Sequence, residues 1–186
     1  MFMKQNIPFL KGEKINLCPL NEELHLDNTL QWLNDEDVIK WLLMIFPLSE
    51  TQEKDWFAKR LILSNPPSDI LLAIVLKDGK HVGNIGLHKI DWISRRAELG
   101  IVIGDKEQWG KGLATEAESL LIDFAWKKLN LCKITAHVFS DNIASLKALQ
   151  KNGAVEEARL KDHIWKNGKF NDLIALAIFN NQESPK

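Results

Sequence analysis

The stretch Trp109-Gly110-Lys111-Gly112-Leu113-Ala114-Thr115-Glu116-Ala117 joins an apolar run, Leu99-Gly100-Ile101-Val102-Ile103-Gly104, to a long amphipathic segment. A strand, a glycine-bearing loop and a helix start, in that order, make a cradle for phosphate. Free backbone N–H groups and the positive end of the helix dipole converge there, and glycine lets the backbone come close. Two common cradles fail on spacing. The P-loop needs Gly-x-x-x-x-Gly-Lys-Ser/Thr. One residue too many lies between Gly104 and Gly110, and Gly112 follows Lys111 where Ser or Thr is required. The dinucleotide fingerprint Gly-x-Gly-x-x-Gly needs a third glycine where Thr115 stands.

The pattern that remains is Gln/Arg-x-x-Gly-x-Gly/Ala, carried by Trp109-Gly110-Lys111-Gly112-Leu113-Ala114 with Trp109 in the place of Gln or Arg. It resembles the pyrophosphate loop of the GNAT superfamily of N-acetyltransferases, which bind acetyl-coenzyme A. Trp followed by Gly-Lys-Gly-x-Ala-Thr-Glu-Ala is similar to the ribosomal-protein alanine N-acetyltransferase (RimJ/RimL) branch. An ordinary strand–turn–helix would use the same glycines for turn chemistry alone. The resemblance implies that main-chain groups of the strand Ile101-Val102-Ile103 pair with the pantetheine arm. It also implies that amides from Gly110 to Thr115 take the pyrophosphate. Asn142-Ile143-Ala144-Ser145 looks like the family's Asn-x-x-Ser helix start, with Asn142 at the pantetheine and Ser145 near the thiol. An Asn in that place also serves as a helix cap.

Acetyl transfer to an amine needs a neutral nucleophile, so an ammonium must first lose a proton. Glu98 is the first candidate base, since the matching Glu in the resembling branch is proposed for this role. Burial would raise its pKa toward a useful range. Pairing with Arg95 or Arg96 is the structural alternative. His88 and His137 are fallback bases, or partly buried strand residues. Many family members offer a Tyr acid, but this chain has no Tyr, and Phe170 stands where the branch often carries one. Ser145 or water is left to protonate the leaving thiolate, a modest need given a free thiol pKa near ~8.5. Cys18 and Cys132 have no paired His in sequence to suggest an acyl-enzyme, and the five His residues show no metal-ligand spacing.

These residues need a scaffold. Residues 13–20 read as a first strand, and 21–39 as a helix through Leu24, Leu30 and Leu33 that breaks at Asn34-Asp35. Residues 41–47 form a loop, and Ser49 or Thr51 caps a helix to about Ser64. Residues 70–76, 81–90 and 97–103 form three consecutive strands, the first two joined across Lys77-Asp78-Gly79-Lys80. Residues 112–129 form a helix with Leu113, Ala117, Leu120, Leu121, Phe124 and Ala125 as one stripe. Residues 133–139 are a strand, and 142–152 a helix with Ser140 or Asp141 as N-cap. Residues 155–165 and 170–179 make a last hairpin across Asn167-Gly168, and 180–186 fray. The order β-αα-βββ-α-β-α-ββ requires a mixed α/β (α+β) sheet. It matches the acyl-CoA N-acyltransferase (GNAT) fold, with about seven strands, flanking helices and splayed central strands, over one domain (1–186, core about 10–180).

A chain of 186 residues with 45% hydrophobic and 26% charged residues suits one soluble domain. A net charge of −1 gives no electrostatic case for nucleic acid. Residues 1–10 show no secretory signal, and no apolar run approaches the ~18 residues of a membrane span. Two cysteines in apolar runs read as buried thiols in a reducing compartment, which makes the cytoplasm the default. The acceptor site falls to the early helices, the 41–47 loop and the last hairpin. Trp32, Trp41, Trp56 and Trp165 are available to line it, and Asp35, Glu36, Asp37 and Asp162 to attract a cation. The resemblance implies an amine acceptor: a protein N-terminus, a polyamine, an aminoglycoside or an amino sugar. Aromatic-rich surfaces suit a homodimer. The alternative is a non-catalytic acyl-coenzyme A-binding domain on the same fold.

Overall fold

In the computed structural model, residues 5–61 and 65–180 are described. The chain opens with β1 (Leu10–Lys11), β2 (Ile15–Pro19) and α1 (Glu22–Leu33). Asn21 caps α1 through its side chain, and Asn34 ends it. The expected break is real: Asp35 caps a separate one-turn helix, α2 (Glu36–Ile39). Helix α3 (Glu50–Leu61) starts at Ser49, whose Oγ accepts from the Gln52 amide at 3.3 Å. Its expected end at Ser64 lies outside the described residues, as do the tail residues beyond Asn180.

Three strands follow, β3 (Ile70–Leu76), β4 (His81–Asp91) and β5 (Arg96–Ile103), then a short 3-10 turn at Lys106–Gln108. Helix α4 (Leu113–Lys127), β6 (Lys133–Phe139), α5 (Ile143–Lys151), β7 (Val155–Lys166) and β8 (Lys169–Phe179) complete the chain. One sheet of eight strands holds them in the order β1-β2-β3-β4-β5-β6-β8-β7. The strand beyond the expected seven is β1, two residues that pair with Asn16 and Leu17. The neighbours β5 and β6 are parallel, which makes the sheet mixed.

The stripe on α4 does what its spacing predicts. Leu113, Ala117, Leu121 and Ala125 are buried against Ile15, Leu17, Leu87, Leu99, Ile134 and Val138 on one face of the sheet. A second, smaller core lies on the other face, where Leu26 of α1 and Phe57 of α3 meet Cys18, Ala73 and Val75. Trp32 of α1 closes over the end of β5, its Cδ2 only 1.9 Å from where a Cβ on Gly104 would sit, so Gly104 has no room for a side chain. Cys18 is buried as expected, but Cys132 is half-buried, because it sits in the short turn between α4 and β6.

Candidate active site

The strands β5 and β6 part company in the middle of the sheet. They pair only over residues 96–98 against 133–135, although β5 runs on to Ile103 and β6 to Phe139. On its other side β5 stays paired with β4 up to Ile103 opposite Gly83. The Val102 carbonyl is turned toward Gly83, 2.3 Å from where a Cβ would be. By alternation, the main-chain groups of Ile101 and Ile103 point the other way, into the splay. Their side chains pack on the larger core. The Ile103 carbonyl is already engaged, since the indole Nε1 of Trp109 donates to it at 2.7 Å. Trp109 thus folds back over the strand that precedes its own loop.

The loop beyond is built for close approach. Gly110 and Gly112 have φ of 75° and 80°, in the left-handed region that costs a side chain dearly. Gly112 is the N-cap of α4 and brings no capping side chain, so the first-turn amides of Leu113, Ala114 and Thr115 receive no side-chain cap from it. Gly110, Lys111 and Gly112 are exposed, Ala114 and Thr115 half-buried, and Leu113 anchors the turn in the core. Lys111 turns its ammonium to Gln108 Oε1 at 3.0 Å. Its carbonyl accepts from Lys14 Nζ at 3.2 Å, and Glu116 Oε1 accepts from the Lys14 amide at 2.9 Å, which brace the loop from behind. Uncapped amides at a helix start beside unpaired strand main chain fit a pyrophosphate and an amide-bearing arm.

Asn142, not Ser140 or Asp141, caps α5: its Oδ1 accepts from the Ser145 amide at 3.2 Å. The cap geometry wins because Asn142 stands three residues before Ser145, whose amide comes just ahead of the first intrahelical bond, Leu146 N–H to the Asn142 carbonyl. Asn142 and Ser145 therefore form one local unit at the start of α5, with Ser145 half-buried.

On the sheet face that carries α1 and α3, Glu98 does not pair with Arg95 or Arg96. Arg95 is held by Asn130, and Arg96 reaches Asp91 at 3.5 Å. Glu98 instead meets Lys89 at 2.9 Å and His137 Nδ1 at 3.4 Å. Lys89 gets there through a β-bulge between His88 and Asp91, where it has φ 51°. The expectation of a raised pKa is corrected. Burial is the largest influence and does push the Glu98 carboxyl up, but the Lys89 ammonium and His137 together hold it below its ordinary value.

Glu98 lines a cleft of about 390 Å³ together with Arg60, Ser68, Asp69, His88, Lys89, Leu99 and Gly100. Sequence reasoning did not find Asp69 or Lys89, and it ranked His88 as a fallback. None of Trp32, Trp41, Trp56 and Trp165 lines this cleft. Asp35 and Asp37 are tied to Lys106 at 2.7 and 3.0 Å instead. The 41–47 loop and the last hairpin do meet, through a buried Lys166 whose Nζ donates to the carbonyls of Ile39, Leu42 and Met44. Among the described residues there is no cluster able to hold a metal ion, and no helix is long and apolar enough to cross a membrane.

The architecture has relatives. The family model for the acetyltransferase (GNAT) domain matches residues 14–155. The uncharacterized N-acetyltransferase p20 of Bacillus licheniformis is 30% identical over 175 residues, 93% of this chain and 97% of that one. A spermidine N(1)-acetyltransferase of Escherichia coli (strain K12) is 35% identical over 109 residues, 59% of this chain and 58% of the relative. A crystal structure of spermidine N-acetyltransferase from Vibrio cholerae, in complex with CoA and spermine, superposes with a TM-score of 0.83 at 23% identity. It covers 90% of this chain and 96% of that one, and at this identity shares the fold. With the splayed strands, the uncapped glycine cradle and a family match over most of its length, the chain belongs to the GNAT acetyltransferases and uses acetyl-coenzyme A as co-substrate.

Proposed function

We propose that the chain moves an acetyl group from acetyl-coenzyme A to a primary amine by direct attack in a ternary complex, in the cytoplasm. The observation that carries this reading is the position of Glu98. It is the last β5 residue paired with β6, so its carboxylate stands where the unpaired main chain begins and lines the cleft beside it. Acetyl-coenzyme A supplies the thioester carbonyl and a thiolate leaving group. The amides of Gly110, Lys111, Gly112, Leu113, Ala114 and Thr115 take its pyrophosphate, and the main chain of Ile101 and Ile103, with Asn142, lines its pantetheine arm, while Val102 keeps its main chain turned to β4. Lowered in pKa and half-buried, Glu98 stays ionised in neutral water and attracts the acceptor's ammonium. Ser145 gives a proton to the departing thiolate.

Cleft charge bears on the acceptor. Lys89 already faces Glu98, and Arg60 faces Asp69 at 2.6 Å, so the cleft holds little surplus negative charge for a polycation. A single-amine acceptor, such as a protein N-terminus or an amino sugar, suits it better. The spermidine acetyltransferases among the relatives favour a polyamine as the second reading. A homodimer belongs to the proposal too, because Leu43, Ile45, Phe46, Trp165 and Phe170 are all exposed. No observation favours a non-catalytic acyl-coenzyme A-binding domain.

Thiol release from acetyl-coenzyme A, followed with N-terminal peptides, amino sugars, aminoglycosides and polyamines, tests the reading. Turnover strongest with a mono-amine supports it, and a strong preference for spermidine establishes the second reading. Glu98→Gln should keep coenzyme A binding by calorimetry and lose about 10²-fold in turnover. No turnover with any amine would overturn the proposal.

A further inference from the structure

Three neighbouring strands and the segment leading into β3 each place one titratable group on the same face of the sheet. Asp69 stands just before β3, His88 is on β4, Glu98 on β5 and His137 on β6. His88 is directly opposite Glu98 in the β4–β5 register, and Glu98 reaches His137. At the other end, His88 Nδ1 lies 3.2 Å from Asp69 Oδ1.

That last contact decides which nitrogen of His88 is the base. Asp69 also accepts from Arg60 Nη1 at 2.6 Å and from Ser68 Oγ at 2.9 Å. Burial pushes the Asp69 carboxyl up, but Ser68, Arg60 and His88 together hold it below its ordinary value, so it is ionised and only accepts. The proton between them therefore sits on His88 Nδ1, and Nε2 carries the lone pair. The segment that holds Asp69 is fixed from two sides. The Ile90 amide donates to Ser68 O at 2.8 Å, and the Trp92 indole donates to Pro67 O at 2.8 Å.

Two glycines leave room for the ring edge that carries Nε2. Gly86 and Gly100 are opposite each other, and a Cβ on either would come within 3.2 Å of His88 Nε2. His88 lines the cleft with Gly100, where β5 no longer pairs with β6. Nε2 has no hydrogen-bond partner among the described residues, and the side chain is 33% exposed, so a substrate can reach it. The charged groups around the ring are Arg60 from α3, Asp69, Lys89 in the bulge, Glu98, and His137 beyond Glu98.

From this geometry we infer that His88 is the catalytic proton acceptor, and that Asp69 positions it; the inference rests on the acetyltransferase reading of the cleft. Glu98 holds the acceptor's ammonium beside the imidazole. One N–H bond of the ammonium breaks and its proton goes to His88 Nε2. The freed nitrogen pair forms the C–N bond to the thioester carbonyl as the C–S bond breaks. A second proton leaves the nitrogen for the sulfur, directly or through Ser145. The imidazolium then returns its proton to water, giving amide, thiol and one released proton.

The test combines a pH–rate profile with nitrogen-15 NMR of the imidazole, on the whole chain. His88→Gln should lose about 10²-fold in kcat/KM at neutral pH, with the deficit shrinking as pH rises and the amine deprotonates by itself. Asp69→Asn should lose about 10-fold, less than the removed base. In the ligand-free protein the His88 spectrum should show the Nδ1–H form, and Asp69→Asn should mix in the other tautomer. Unchanged coenzyme A affinity and thermal melting in both variants would show that the fold is intact. Turnover by His88→Gln with the wild-type profile would overturn this inference alone, and so would an Nε2–H imidazole in the wild type. A wild-type protein silent on every amine would overturn the acetyltransferase reading and this inference with it.

Discussion

Gly110, Lys111 and Gly112 offer main-chain amides from one unbroken stretch of chain, whereas Asp69, His88, Glu98 and His137 come together from four separate elements. On the reading proposed above, the cofactor side of the splay is made of backbone, and the acceptor side of side chains. Backbone binding asks for a conformation, and many sequences can supply it as long as glycine stands where φ is positive. Side-chain chemistry asks for particular atoms at particular places, held by the register of several strands. The two sides should therefore fail in different ways when altered.

The largest effect should come from conformation on the cofactor side. Gly112→Val puts a β-branched residue at φ 80°, a strain of about 1–3 kcal/mol that the loop can relieve only by moving its amides. Calorimetry should show coenzyme A affinity falling by roughly 10- to 100-fold, since about 1.4 kcal/mol is a factor of ten. Lys111→Ala, next to it, removes a charge yet keeps the amides, and should change affinity only by about threefold or less. If Lys111→Ala did the greater damage, the backbone account of this side would be wrong.

Glu118 is the exception that sharpens the contrast, a fully buried carboxyl in α4 on the cofactor side. Burial raises its pKa from 4.5 to about 7, against the opposing hydrogen bond from Asn152. The folded state therefore holds this proton more tightly than the unfolded one. Stability is fully present below 4.5, falls as pH climbs to about 7, and levels off above. Glu118→Gln, which cannot ionise, should escape that loss. Urea denaturation on the alkaline side of the window should show the variant gaining roughly 2 kcal/mol over wild type, and in acid the gain should vanish.

The smallest effect is expected on the acceptor side. Lys166→Met removes the ammonium that gathers the carbonyls of Ile39, Leu42 and Met44. It should cost roughly 1 kcal/mol of stability. The KM for the amine should rise while coenzyme A affinity stays put. A change in coenzyme A affinity instead would mean that the hairpin clamp serves the other side of the splay.

The same division explains what could be read from the sequence. The glycine loop, the stripe on α4, the strand 133–139 and the α1–α2 break at Asn34-Asp35 are all coded locally, by spacing and caps within a few residues. The acceptor side is not. Asp69 lies beside His88 because Ile70 is opposite Leu87, yet nearer the turn Val75 is opposite His81. A bulge between Ile74 and Val75 shifts the count by one, and counting outward from the turn would put His88 on the wrong face from Asp69. The bulge at Lys89 does the same between β4 and β5, and it also swings Lys89 onto Glu98. Sequence adjacency left Arg95 or Arg96 as the alternative partner of Glu98 and burial suggested a raised pKa, whereas the carboxylate meets Lys89 and His137, which hold its pKa down. Trp109 reaching back to the Ile103 carbonyl was equally invisible, because the motif marks its place and not its rotamer.

Trp32 presses on Gly104 at a contact that leaves no space for even one carbon. Gly104 follows the last residue of the strand that leads into the glycine loop, and Trp32 belongs to α1, on the sheet face that also carries Glu98. The two elements thus share a fulcrum, and whatever stiffens the loop stiffens α1 in the same stroke. A ligand that orders the loop would therefore lower the freedom of α1 as well.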